Sequence, residues 1–123
     1  MTTDSDLIVY QIKDATVVTF QKASILDSLE IDQIGETLYD LVDTRHRQKL
    51  VLDFAKVEFL SSSALGMLIT LRKKALAIKG KVAICGIKPQ LKEAFKITRL
   101  DKLFDFYDSE SAALAAFGIT TAG

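Results

Sequence analysis

The residues best placed for chemistry are hydroxyls. Phe59-Leu60-Ser61-Ser62-Ser63-Ala64-Leu65-Gly66 sets three consecutive serines where a buried strand gives way to a helix. A helix N-terminus presents unpaired backbone amides, and in open α/β sheets ligands and partners gather outside the carboxyl ends of strands, so a phosphoryl group could be held there. The same residues also satisfy a plainer reading, with Ser61 or Ser62 as an N-cap and the other hydroxyls as small filler. Asp53 interrupts an apolar strand and needs a hydrogen-bonding or charged partner if it is buried. It either orients the serine loop or marks a strand end at a sheet edge. Asp27, at the start of the first helix, is explained by capping alone.

The other chemically capable side chains are isolated. His46 lies between Arg45 and Arg47 and could serve as one base, although a histidine in a polar loop is ordinarily solvated. Cys85, within an apolar run, reads as a small core hydrophobe. Arg72, Lys73, Lys74, Lys79 and Lys81 answer the negative end of a helix and face solvent, and part of this cluster could meet an acidic partner. One cysteine and one histidine provide no disulfide and too few ligands for a Cys/His zinc site. No phosphate-binding glycine loop, dinucleotide fingerprint, nucleophile elbow or CxxC pair is present. The chain therefore reads as no enzyme, with no cofactor and no metal.

Charge narrows the partners. Sixteen Lys+Arg balance sixteen Asp+Glu, which denies the chain the positive field of nucleic-acid and anionic-membrane binders. The first residues, MTTDSDLIVY, contain no basic segment followed by a long apolar one, and no run approaches the roughly 18 apolar residues of a membrane span. These features predict a cytoplasmic protein without direct membrane insertion.

Positioning these residues requires alternating strands and helices. Leu7 to Ile12 and Ala15 to Phe20 are β-branched-rich runs joined by Lys13 and Asp14, which predicts a hairpin. Ile31, Ile34, Leu38, Leu41 and Val42 share one helical face, and Asp27 with Glu30 three residues on resembles a capping box, predicting a helix from about 28 to 44. LVLDFA, 50 to 55, is apolar except at Asp53, as in strands covered on both faces. A helix follows from the serines, with Gly80 as its stop. KVAICG, 81 to 86, is another buried strand. Pro89 opens a brief helix with Leu91, Ala94 and Phe95, FDFY (104 to 107) is the last strand, and Ser109 caps a helix bearing Ala112, Ala113, Leu114, Ala116 and Phe117. The order β-β-α-β-α-β-α-β-α predicts an α/β fold: a mostly parallel mixed sheet of about five strands, an N-terminal hairpin and four helices. At 123 residues one domain is expected, 1–123, ordered from about 6 to 118.

LVLDFAKVEFLSSSALGMLITLRKK resembles the signature of the STAS domain, the sulfate transporter and anti-sigma factor antagonist module. In that signature an aspartate-bearing strand leads through a short loop to an Asp-Ser-Ser/Thr-Gly-Leu/Ile-Gly turn that opens a helix. The likeness runs in register through VAICG, EAFKITRLDKLFDFYDS and the closing alanine-rich helix. It implies a STAS-type fold and a non-enzymatic, partner-switching regulator, monomeric or weakly dimeric. In such regulators the unphosphorylated module binds an anti-sigma factor that is also a serine kinase; phosphorylation ends the binding and a phosphatase restores it.

The resemblance makes Ser62 the phosphoacceptor. It also implies partner contacts at Ser61, Ser63, Ala64, Leu65, Gly66, Met67, Asp27 and Asp53, with Leu65, Met67 and Leu68 supplying apolar surface. Two departures stand out. Ser61 and Ala64 replace the motif's aspartate and first glycine, and Phe20 to Ile25 is lengthened and lacks the usual Gly-Glu/Asp before Leu26-Asp27. Ser61 in place of aspartate suits a second expectation, a STAS scaffold or accessory subunit, for example of a membrane transport ATPase, that works without phosphorylation.

Overall fold

The computed structural model describes residues 2, 3 and 7–119. Its strands are β1 (Thr2–Thr3), β2 (Leu7–Ile12), β3 (Ala15–Phe20), β4 (Ser24–Ile25), β5 (Lys49–Asp53), β6 (Phe59–Leu60), β7 (Lys81–Cys85) and β8 (Asp105–Tyr107). The helices are α1 (Ser28–Asp43), α2 (Ser62–Ala77), α3 (Pro89–Ile97) and α4 (Glu110–Ala116), with a 3-10 turn at Leu100–Lys102. Residue 6, the expected start of order, lies outside the described residues.

The main sheet runs β1-β2-β3-β5-β7-β8. The β2–β3 hairpin is antiparallel, turning at Lys13-Asp14 with Ile12 opposite Ala15, and the β3–β5, β5–β7 and β7–β8 pairs are parallel. The five expected strands are all in this sheet. Two-residue β1 adds an antiparallel edge to the hairpin, and β4 and β6 form a separate parallel pair that the sequence pattern did not announce. The ladder of β5 ends at Asp53, short of the expected residue 55. Asp53 Oδ1 accepts a hydrogen bond from the Ala55 amide at 2.9 Å, a local turn that leads the chain out of the sheet.

The continuous apolar character of β5 follows from its two covered faces. Leu50, Leu52 and Phe54 belong to the larger core beneath α1, α2 and α3, with Phe54 edge-on to Phe20 at 4.8 Å between ring centres. Val51 joins Ala83, Cys85, Ala113 and Leu114 beneath α4. Of the apolar set expected on the last helix only Ala113 and Leu114 are buried, and α3 contributes Leu91 and Phe95.

Helix ends show where local rules held and where packing overrode them. Asp27 caps α1, its Oδ1 accepting from the amides of Leu29 (2.8 Å) and Glu30 (3.4 Å). Glu30 does not complete the expected capping box: its buried carboxylate takes the Lys22 ammonium, because a carboxylate removed from water needs a charged partner. Gly80 is not the left-handed stop of α2. That conformation belongs to Lys79 (φ 63°), with the Gly80 amide bonding the Ala75 carbonyl at 2.7 Å. Gly80 is required for space, since a Cβ there would stand 2.6 Å from the Gln48 carbonyl oxygen. His46 terminates α1 in the same way, left-handed at φ 53°, while the Arg47 amide reaches back to the Leu41 carbonyl at 2.9 Å.

Candidate functional site

The β4–β6 pair sets two helix N-termini side by side. Ser24 lies opposite Phe59 and Ile25 opposite Leu60. The Ala23 carbonyl accepts from the amides of Glu58 (2.7 Å) and Phe59 (3.0 Å), and the Ile25 carbonyl from the Ser61 amide (3.1 Å). Ser61, the cap of α2, follows β6 directly, and Asp27, the cap of α1, follows β4 after the single residue Leu26.

Both readings of the serine run are realised, by different serines. Ser61 is the N-cap, its Oγ accepting from the Ala64 amide at 3.1 Å. Ser62 and Ser63 are the first two residues of α2 and both are exposed. An aspartate at position 61 would cap equally well, so the serine retains the hydrogen bond and deletes only the charge. Ala64 is fully buried, where its methyl fills the core and favours the helix over glycine by about 1 kcal/mol.

The apolar surface expected from Leu65, Met67 and Leu68 is absent, because all three side chains are buried. Met67 packs against Gly35 of α1, and its carbonyl receives the Tyr39 hydroxyl at 3.3 Å. The exposed apolar groups beside the serines are instead Leu26 (55% exposed), Leu29 (65%) and Phe59 (57%). One sequence signal could have found Leu29: it falls off the Ile31-Ile34-Leu38-Leu41 stripe. Gly66 is exposed and a Cβ there would meet nothing within 4 Å, so neither turn nor packing requires this helix-interior glycine. Together with Gly35, Asp32, Glu36 and Thr70 it lines an open groove between α1 and α2.

Asp53 is not part of this surface. It follows Val51 on the α4 side of the sheet by strand alternation, and its carboxylate is engaged with the Ala55 amide. Cys85 is buried, and its thiol is pushed up to about 12, first by burial and then by the carboxylates of Asp53 and Glu110. The Tyr10 hydroxyl donates to Glu110, and burial followed by that carboxylate raises its pKa as well. His46 is exposed at the far end of the sheet from the serines. Within the basic cluster, Arg72 donates to the Leu103 carbonyl at 2.6 Å and Lys74 pairs with Asp43 at 2.8 Å. Among the described residues no group of three or more His, Cys, Asp or Glu could hold a metal ion. The candidate site is an exposed hydroxyl at a helix start, bordered by apolar side chains.

This fold is that of a STAS module. The STAS domain family model matches residues 6–113, and the chain belongs to that family. It is 29% identical over 93 residues to BtrV, a candidate anti-sigma factor antagonist of Bordetella bronchiseptica, covering 76% of this chain and 79% of that protein. The structure of an anti-sigma-factor antagonist (STAS) domain protein from Planctomyces limnophilus matches with a TM-score of 0.80 at 25% identity, over 90% of this chain and 96% of that one. The phosphorylated form of the Bacillus cell fate determinant SpoIIAA shares the fold, with a TM-score of 0.71 at 13% identity over 90% and 98% of the two chains. Among the described residues no helix is long and apolar enough to cross a membrane.

Proposed function

We propose that this chain, as one STAS domain, is an anti-sigma factor antagonist that works by partner switching. Unphosphorylated, it binds an anti-sigma factor through Leu26, Leu29, Phe59 and the start of α2; the partner's serine kinase activity modifies Ser62 and ends the binding, and a phosphatase restores it. The observation that carries this reading is the exposed Ser62 hydroxyl at the first position of α2, beside three exposed apolar side chains. The names of the relatives above support the choice of partner.

The physical logic needs no backbone rearrangement. A phosphate on Ser62 adds about −1.5 to −2 charges. In the free protein water and the open amides of α2 satisfy it. A docked partner must strip that water, and about 3 kcal/mol of uncompensated desolvation weakens binding roughly a hundredfold. Ser61 carries no charge to repel the phosphate, in contrast to the family aspartate.

The test is incubation with the cognate anti-sigma factor and ATP, followed by mass measurement of the Ser62 peptide and affinity measurement for Ser62→Asp. Phosphate on the wild type, none on Ser62→Ala, and weak binding by Ser62→Asp are expected. Phosphate retained on Ser62→Ala, or wild-type affinity for Ser62→Asp, refutes the assignment, and the second result favours an unphosphorylated scaffold.

A further inference from the structure

The zero net charge is a sum of unlike ends. The hairpin turn at 13–14 and the stretches 44–49 and 78–81 all lie at the amino ends of β3, β5 and β7. With Arg99 to Asp105, which enters β8 at the same end, they carry Lys13, Arg45, Arg47, Lys49, Lys79, Lys81, Arg99 and Lys102 against three carboxylates, Asp14, Asp101 and Asp105. At the opposite end, where the serines lie, the connections 21–27, 54–61, 86–88 and 108–109 carry three cations, Lys22, Lys56 and Lys88, against three carboxylates, Asp27, Glu58 and Asp108. Some of the basic end is neutralised locally: Lys49 pairs with Asp14 at 2.6 Å and Arg45 with Asp40 at 3.3 Å. All four helices also end there, each contributing about half a negative charge. A positive surplus remains around Lys13, Arg47, Lys79 and Lys81.

Backbone conformation gives a second, independent observation. Among the described residues the non-glycine positions with left-handed φ are Lys13 (54°), His46 (53°), Lys79 (63°) and Arg99 (62°), and every one is a basic residue. Glycine or asparagine holds that conformation more easily. All four sit in connections at the basic end, and three of them, Lys13, Lys79 and Arg99, put a cationic side chain where it strains the chain.

We infer that this end is a docking surface for an anionic lipid bilayer. The surplus cations come from three separate turns, a spread arrangement that suits a plane of delocalised headgroups. Apart from the imidazole of His46 the same turns contain no aromatic side chain on which bases could stack, and they present no helix to a groove. Leu76, 47% exposed in the last turn of α2, lines a shallow depression together with Arg72, Lys81, Lys102 and one carboxylate, Asp105, and adds an apolar contact at the headgroup level. α2 spans 16 residues, about 24 Å, so a lipid-bound molecule holds Ser62 away from the bilayer and open to partners.

The experiment is co-sedimentation of the full chain with vesicles of phosphatidylcholine alone and of phosphatidylcholine with one-quarter phosphatidylglycerol, in about 0.05 M and about 0.5 M salt. Binding only to the phosphatidylglycerol vesicles, abolished by high salt, is expected. Each cation is worth about fivefold at a lipid surface, so Lys79→Gln with Lys81→Gln weakens binding roughly twenty-five-fold. The charge-matched pair Lys56→Gln with Lys92→Gln leaves it unchanged. Lys79→Gly raises the denaturation midpoint while weakening vesicle binding. No sedimentation at low salt, equal loss in both double variants, or equal or tighter binding to duplex DNA or polyglutamate than to the vesicles overturns the inference.

Discussion

Replacing Phe59 by alanine tests the partner surface most directly. A phenylalanine side chain offers about 200 Å² of apolar surface, and Phe59 is 57% exposed, which leaves about 110 Å² available to a partner. At about 25 cal/mol per Å², full coverage is worth about 3 kcal/mol, or roughly a hundredfold in affinity. The part already covered within the fold amounts to about 2 kcal/mol, some of which the alanine methyl retains. Against a typical domain stability of about 5–15 kcal/mol, such a loss still leaves more than about 99% of molecules folded, so affinity and folding separate cleanly. Titration calorimetry with the purified cognate anti-sigma factor measures the first, and urea unfolding the second. Leu29→Ala is the companion, exposed on a helix where alanine improves propensity and costs no core packing. If Phe59→Ala binds within twofold of wild type while remaining folded, the apolar border of Ser62 is not a docking surface.

Gly66→Ala should raise stability by about 0.5–1 kcal/mol in urea unfolding, since the added methyl meets nothing within 4 Å, and should weaken anti-sigma factor binding if a partner approaches the bare backbone there. Gly80→Ala should lose at least about 1–3 kcal/mol, because its Cβ would collide with the Gln48 carbonyl at 2.6 Å, which is backbone; an unchanged urea midpoint would refute the packing account. Alkaline pH should destabilise the fold. Cys85, with a folded value near 12 against the ordinary 9, keeps a proton that the unfolded chain releases, so its contribution is complete below about pH 8.5 and lost as pH rises toward 12. Unfolding measured between pH 8 and 10 should show that decline, and Cys85→Ala should flatten it there, Tyr10 adding its own loss only above about pH 10.

The alternation of strands and helices was legible because burial imposes it on the residue order. Leu50 and Leu52 serve one core and Val51 the other, so an unbroken apolar run could only be a doubly covered strand. The β4–β6 pair was not legible, since two residues per strand establish no period and the pairing depends on loops distant in sequence. The place of the serine run at the start of α2 was legible because a strand-to-helix junction is local information, whereas the choice of Ser62 within it came from the family resemblance alone. The orientation of Met67 was not legible, because a wide arc of α2 is buried once α1 packs beside it at Gly35. Gly80 and Lys79 exchanged their expected roles for a similar reason: the tight approach to Gln48 claimed the glycine, and left-handed geometry fell to the lysine. The neutral total charge likewise concealed the basic end, because a sum carries no coordinates.

The two-residue β4–β6 pair is separate from the main sheet, and that has a consequence in time. Units with few hydrogen bonds open independently of the core, so the amides of Glu58, Phe59 and Ser61, which bond to Ala23 and Ile25, should exchange with deuterium far faster than those of β5. Each opening parts the two helix starts for a moment, and a bound partner would hold them together. Slowed exchange at these three amides would therefore report docking and its release without any label on either protein.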